Sequence, residues 1–165
     1  MIDAYKRAFE NGITTQPSLA DARLLDYLTR AELAKMLSIF TLKYTDRQPI
    51  LDKPFCDTYT DADQVNAELS SYMTTACKLE IMGLHSDGKT PLDAFMPNKH
   101  VSRAELVTVL SRVLYGNTYD NNTTDQRWQG HMDKLHTDAV IKDPTPTIQE
   151  IRAYVLLMMY RIKGK

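Results

Sequence analysis

Apolar residues recur at helical spacing in three stretches of the chain, each behind a hydroxyl residue followed three positions later by an acceptor side chain. The three starts are Thr29-Arg30-Ala31-Glu32, Ser102-Arg103-Ala104-Glu105 and Thr147-Ile148-Gln149-Glu150. This spacing is that of a capping box, in which the hydroxyl accepts from the third helical amide and the glutamate reaches back to the cap's own amide. Thr29 with Glu32, Ser102 with Glu105 and Thr147 with Glu150 are therefore expected to cap three long helices. An apolar residue precedes each cap (Leu28, Val101, Pro146) and another follows each glutamate (Leu33, Leu106, Ile151), at hydrophobic-staple spacing. The stripes behind them predict buried faces. They comprise Leu33, Met36, Leu37 and Phe40; then Leu106, Val109, Leu110, Val113 and Leu114; then Ile151, Tyr154, Val155, Met158, Met159 and Ile162.

Shorter helical patterns precede each capped one. Asp3 to Phe9 turns Tyr5, Ala8 and Phe9 to one side and stops at Asn11-Gly12. Glu68 to Leu79 places Leu69, Tyr72, Met73, Ala76 and Cys77 inward and closes near Gly83, and a third runs from about Gly130 to Asp138 with Met132, Leu135 and Ala139 inward. The pattern predicts an all-α chain of three helix-loop-helix repeats, spanning 1–45, 55–115 and 127–163, joined by polar linkers at 46–54 and 116–126.

Composition narrows the function. A formal net charge of −1 argues against a partner held by a chain-wide basic field, so neither nucleic acid nor an anionic membrane surface is expected. No apolar run is long enough to span a bilayer, and the first residues lack a signal-peptide profile. The chain is thus either cytosolic or a piece of a longer secreted protein. Cys56 and Cys77 have neither zinc-ligand nor redox-pair spacing, which leaves two buried thiols or one disulfide, and only the disulfide implies an oxidising compartment.

Arg30 and Arg103 are the candidate binding residues. A cation in the first turn faces the positive end of the helix dipole, at a cost of up to ~1 kcal/mol, so something must favour it. One answer is an anion shared by free helix amides and a guanidinium fork; the other is a carboxylate from elsewhere in the chain, with Asp26, Asp87 and Asp138 as candidates. The glutamates could be paired as catalytic acids, but their common spacing assigns them to caps. His131 and His136 are mis-spaced for a metal, while Asp57, Asp61 and Asp63 lack the glycine and closing glutamate of a calcium loop. His85 and His100 flank the second loop, where they meet either sugar hydroxyls or solvent, and Trp128 is expected to pack or to stack on a sugar ring. With no nucleophile motif, phosphate loop or zinc signature, neither catalysis nor a cofactor is expected.

The run Asp87-Gly88, Phe95-Met96-Pro97 and Val101-Ser102-Arg103-Ala104-Glu105, with its partial counterpart Leu28-Thr29-Arg30-Ala31-Glu32, resembles the S-layer homology (SLH) family. The resemblance covers nearly the whole chain as three tandem copies, with the third lacking the arginine and placing Ile148 there. It implies a pseudo-threefold spindle with a central three-helix bundle, and grooves between prongs that bind an anionic cell-wall polysaccharide. The module would then be a non-catalytic, extracellular cell-surface anchor within a longer secreted protein. Ligand contact would fall on Arg30 and Arg103, with Asp87, Gly88 and His100 beside them. The alternative is an interaction or self-assembly module whose partners are other surface-layer subunits.

Overall fold

The structure, a computed structural model, describes residues 1–120 and 125–163. Of the expected linker 116–126, residues 121–124 lie outside the described residues. The described chain is all-α: α1 (Ile2–Glu10), α2 (Arg30–Tyr44), α3 (Ala67–Lys78), α4 (Arg103–Tyr115), α5 (Gln129–Thr137) and α6 (Arg152–Lys163), with short 3-10 turns between them and isolated bridges in place of strands.

Local chemistry sets the starts of α2 and α4. Thr29 and Ser102 accept from the amides of Glu32 and Glu105, whose carboxylates return to the amides of Thr29 and Ser102 at 3.0 and 2.9 Å. The short helices end on a residue of positive φ: Gly12 after α1, Glu80 after α3 and Ala139 after α5. The amide of the following residue then reaches back into the helix, from Ile13 to Ala8, Ile81 to Ala76 and Val140 to Leu135, which satisfies otherwise orphaned carbonyls. Ala139 is consequently exposed rather than inward, and Val140 and Ile141 enter the core in its place.

Packing joins segments distant in sequence: α2 lies against α3, α4 against α5, and α6 against α1. The core is continuous through Leu28, Leu33, Leu37, Met73, Ile81, Phe95, Leu106, Leu110, Met132, Leu135 and Ile141, all fully buried. Besides Ala139, two further expected core positions are exposed. Phe9 is 42% exposed, and Tyr154 is 46% exposed while Ala153 and Leu156 are buried on the same helix. Cys56 and Cys77 form a disulfide with both residues fully buried, tying the 3-10 turn Pro54–Asp57 to α3.

The third expected cap is corrected. α6 begins at Arg152, so Thr147 and Glu150 precede the helix and cap nothing. The reason is tertiary: the Glu150 amide donates to the Val101 carbonyl at 2.8 Å, the Val101 amide to Leu28 at 3.0 Å, and the Leu28 amide to the Glu150 carbonyl at 2.9 Å. That closed ring holds Glu150 ahead of the helix and postpones its start by one turn. Glu150 therefore stands where Leu28 and Val101 stand, Ile151 where Thr29 and Ser102 stand, and Tyr154 where Glu32 and Glu105 stand. Arg152, not Ile148, matches Arg30 and Arg103 as the first helical residue.

Candidate functional site

The first amides of the three long helices are not free. Arg30 and Ala31 donate to the carbonyls of Lys99 and Pro97, Arg103 and Ala104 to Ile148 and Pro146, and Arg152 and Ala153 to Asp26 and Leu24. Loop carbonyls thus take the place that an anion would occupy, and the expectation of open helix amides beside the arginines is overturned.

Each arginine meets an acid from another segment, and the pairs run in a cycle. Arg30 Nη1 lies 3.3 Å from Glu105 Oε1, Arg103 grips Glu150 through Nε at 2.5 Å and Nη2 at 3.2 Å, and Arg152 Nη2 reaches Glu32 Oε1 at 2.7 Å. The acids proposed from sequence, Asp26, Asp87 and Asp138, are not the partners. Asp26 pairs with Arg23, Asp87 is closed into its own turn, and Asp138 is held by Lys134 and the Tyr115 hydroxyl.

Arg30 is almost fully buried, its Nε donating to the Phe95 carbonyl at 2.7 Å with the guanidinium 5.2 Å from the Phe95 ring centroid. Burial lowers its pKa, partly offset by Glu105. Burial pushes the Glu105 carboxyl up, but the Ser102 amide, Lys99 and Arg30 together outweigh it and keep the group below its ordinary value. Glu32 is held low in the same way: burial raises it, while the Thr29 amide and Arg152 prevail. For Arg103, burial lowers the pKa but the bond to Glu150 more than restores it.

Surface grooves open beside all three arginines. The one beside Arg30 has a volume of about 330 Å³ and is lined by Met82, His85, Met96, Arg112, Arg127 and Trp128 among others, with Glu105 in its wall. Arg127 is exposed and makes no ion pair among the described residues. Arg112 is locked in place, its Nε and Nη2 donating to Asp120 Oδ1 at 3.0 and 2.8 Å, while His131 Nε2 approaches the same oxygen at 3.2 Å. The groove beside Arg103, about 320 Å³, is lined by Lys142, Asp143, Ile148, Tyr154, Leu157, Met158 and Arg161. The groove beside Arg152, about 200 Å³, balances Arg23, Lys35 and Arg152 against Asp21, Glu32 and Glu68, with Lys35 Nζ and Glu68 Oε1 2.8 Å apart.

The remaining sequence candidates fall outside these grooves. The Asp87 carboxylate accepts from the Thr90 hydroxyl and from the Lys89 and Thr90 amides, which lowers its pKa to about 2. Gly88 is buried at φ +68, where a Cβ would lie 2.4 Å from Asp120 Oδ2, so glycine is required by close packing. The His100 ring packs at a tilt of 40° against Tyr27, 5.4 Å between centroids. The aspartates diverge: Asp57 pairs with Lys78, while Asp61 accepts from the Phe95 and Met96 amides at 2.8 and 2.7 Å and so fixes the loop ahead of α4. Sequence reasoning missed Arg112, Arg127, Lys142, Arg152 and Arg161 because none follows a hydroxyl cap. The one available signal was the Arg-Ala pair at 152–153, which repeats that at 30–31 and 103–104.

A scan against protein-family models and a search of curated proteins find no match to this chain.

Proposed function

We propose that the chain is a non-catalytic, SLH-like anchoring module: three copies of one helix-loop-helix unit in a pseudo-threefold spindle, holding an anionic cell-wall polysaccharide in grooves between the units. The observation that carries this reading is the groove beside Arg30. Its one wall carboxylate, Glu105, is already shared by Arg30 and Lys99, while Arg127 makes no ion pair among the described residues and the half-buried Trp128 lines the same groove. A cation beside an aromatic face suits a charged sugar, with the ring stacking and the acid group meeting the guanidinium. The cyclic order of helix packing, arginine-acid pairs and amide ring supports three equivalent units. The Cys56–Cys77 disulfide supports an oxidising compartment, in keeping with an extracellular piece of a longer protein.

The test is sedimentation of the chain with purified, protein-free cell-wall polymer. Wild type is expected to co-sediment and to be released by salt. Arg127→Gln should weaken binding at least tenfold while leaving the melting temperature within about 2 °C, since Arg127 is exposed and Trp128, which packs against the core, is left in place. Equal binding by the variant, or none by wild type, would end the reading.

A second reading, assembly with other surface-layer subunits, has one observation in its favour. Leu19, Leu25, Ile151 and Tyr154 line a largely apolar surface hollow of about 510 Å³, with Leu25 80% exposed. Light scattering separates the two: a concentration-dependent rise in mass that Leu25→Asp abolishes would favour assembly.

A further inference from the structure

We propose that the chain associates with further copies of itself head to tail, an apolar knob formed by Leu51 and Phe55 of one copy entering the hollow lined by Leu25 of the next. The use of the hollow rests on the assembly reading above; the knob and the order of contact do not. Among the described residues, the three most exposed large apolar side chains are Leu51 at 85%, Leu25 at 80% and Phe55 at 71%. Two stand on the segment between α2 and α3, and the third on the loop between α1 and α2.

The segment that carries the knob is fastened to α3 on both sides. The Ile50 amide donates to the Lys78 carbonyl at 2.9 Å, and the Cys56–Cys77 disulfide ties down the turn that bears Phe55. Lys53 Nζ pairs with Glu80 Oε1 and Lys78 Nζ with Asp57 Oδ2, both at 2.9 Å, and the Thr74 hydroxyl donates to the Cys56 carbonyl at 3.2 Å. A loose segment would fold its leucine and phenylalanine back onto the core. This one keeps them in water, against the hydrophobic effect. Apolar side chains carried on a fixed backbone lose little freedom on contact, which is what an anchor at an interface requires.

The occupant of the hollow is a second copy because one chain carries both halves of the contact. The hollow, about 510 Å³, is lined by Leu19, Leu24, Leu25, Ile151 and Tyr154 among others and shares no residue with the knob. Charge agrees with the pairing. Asp52, exposed beside Leu51, makes no ion pair among the described residues, while Arg23 at the rim of the hollow is exposed and held only by the exposed Asp26 of its own loop. Since knob and hollow are different surfaces, the contact is heterologous, and repeating it gives a row or a ring but never a closed pair. It is also small. A knob of this size falls below the roughly 1,200 Å² of a stable interface, so free molecules associate weakly, and the contact strengthens where many copies lie side by side on one surface.

The test is static light scattering of the whole, disulfide-bonded chain up to about 1 mM, where an interface of this class is occupied. Wild type should rise past twice the monomer mass, with a dissociation constant on the order of 0.1 mM. Leu51→Asp with Phe55→Asp, and separately Leu25→Asp, should each stay monomeric while melting within about 2 °C of wild type, since all three side chains are exposed. Mixed in equal amounts, the two variants should form a one-to-one pair and stop there, because only one intact knob and one intact hollow meet. A wild type that stays monomeric or stops at two copies, or a mixture that stays monomeric, would overturn the proposal. Assembly abolished by Leu25→Asp but kept by the knob variant would remove this pairing and leave the assembly reading standing. Sedimentation with phosphatidylglycerol vesicles that needs Phe55, without self-association, would assign the knob to a lipid surface instead. Polymer binding is read separately, so the anchoring role stands or falls on its own test.

Discussion

The Arg103–Glu150 pair gives the sharpest expected outcome. Side-chain exposures are 6% and 0%, and the two hydrogen bonds make the contact bidentate. Breaking a buried pair by removing one partner leaves an uncompensated charge and costs about 3–5 kcal/mol, whereas replacing both with apolar residues of similar volume is often neutral or stabilising. Glu150→Leu places at this position the residue found at Leu28 and leaves the backbone ring intact, so the loss isolates the stranded guanidinium. For a domain of this size about 1 kcal/mol moves the melting temperature by roughly 2–4 °C, so a fall of roughly 6–20 °C is expected. Arg103→Met should fall comparably, since it strands Glu150. Arg103→Met with Glu150→Leu should return to within about 1 kcal/mol of wild type or exceed it. Urea melts of the four proteins close a double-mutant cycle with an expected coupling of about 5 kcal/mol or more, the two single losses together less that of the double variant. A loss below about 1 kcal/mol in Glu150→Leu would mean that the pair behaves like an exposed surface bridge, and the reasoning would fail. The outcome also decides the role of Arg103: intact stability with lost polymer binding would restore it as a ligand contact.

Three further outcomes follow from the fold. Reducing the Cys56–Cys77 bond, whose ends lie 21 residues apart, should cost about 3 kcal/mol through the freed denatured chain, readable as a lower urea midpoint in reductant. Ala139 holds φ +56 at the end of α5, as Gly12 holds φ +72 at the end of α1, so Ala139→Gly should stabilise by about 1 kcal/mol; a lower melting temperature would contradict that. Glu32 and Glu105 titrate below their ordinary 4.5 in the folded chain, so the unfolded chain takes up protons first as pH falls. Their contribution is present above that value and is lost as pH falls through the folded pKa; urea midpoints at pH 6, 4.5 and 3.5 should decline, and Glu32→Gln with Glu105→Gln should flatten the decline.

Much of the helical content was legible because it is local. The Thr29 and Ser102 caps, and the buried stripes of α2 and α4, depend on residues within a turn or two of each other. What was illegible depends on distant segments. No periodicity announces that α3 packs on α2, or that loop carbonyls from 97, 99, 146 and 148 occupy helix amides. At the candidate site, the two arginines were found, but their partners Glu105 and Glu150 had been assigned to capping. Glu105 does both, using Oε2 for the cap and Oε1 for Arg30 and Lys99. A carboxylate has enough lone pairs to serve two masters, and sequence spacing reports only the nearer one.

The start of α6 shows how a capping signal can be correct in spacing and wrong in place. Thr147 and Glu150 satisfy the pattern, but a cap contributes about 1 kcal/mol, while the competing arrangement gives Glu150 two ring hydrogen bonds and a buried partner in Arg103. The tertiary solution wins, and it has a consequence for the surface. Because the acid that neutralises Arg103 comes from beneath, the third helical position of α6 is released from that duty, and a tyrosine can stand there facing solvent. Arg152 then closes the cycle through Glu32 with its Nε left without a partner among the described residues. One displaced glutamate thus accounts for both the misplaced cap and a groove with an aromatic ring at the helical position where the other two carry an acid.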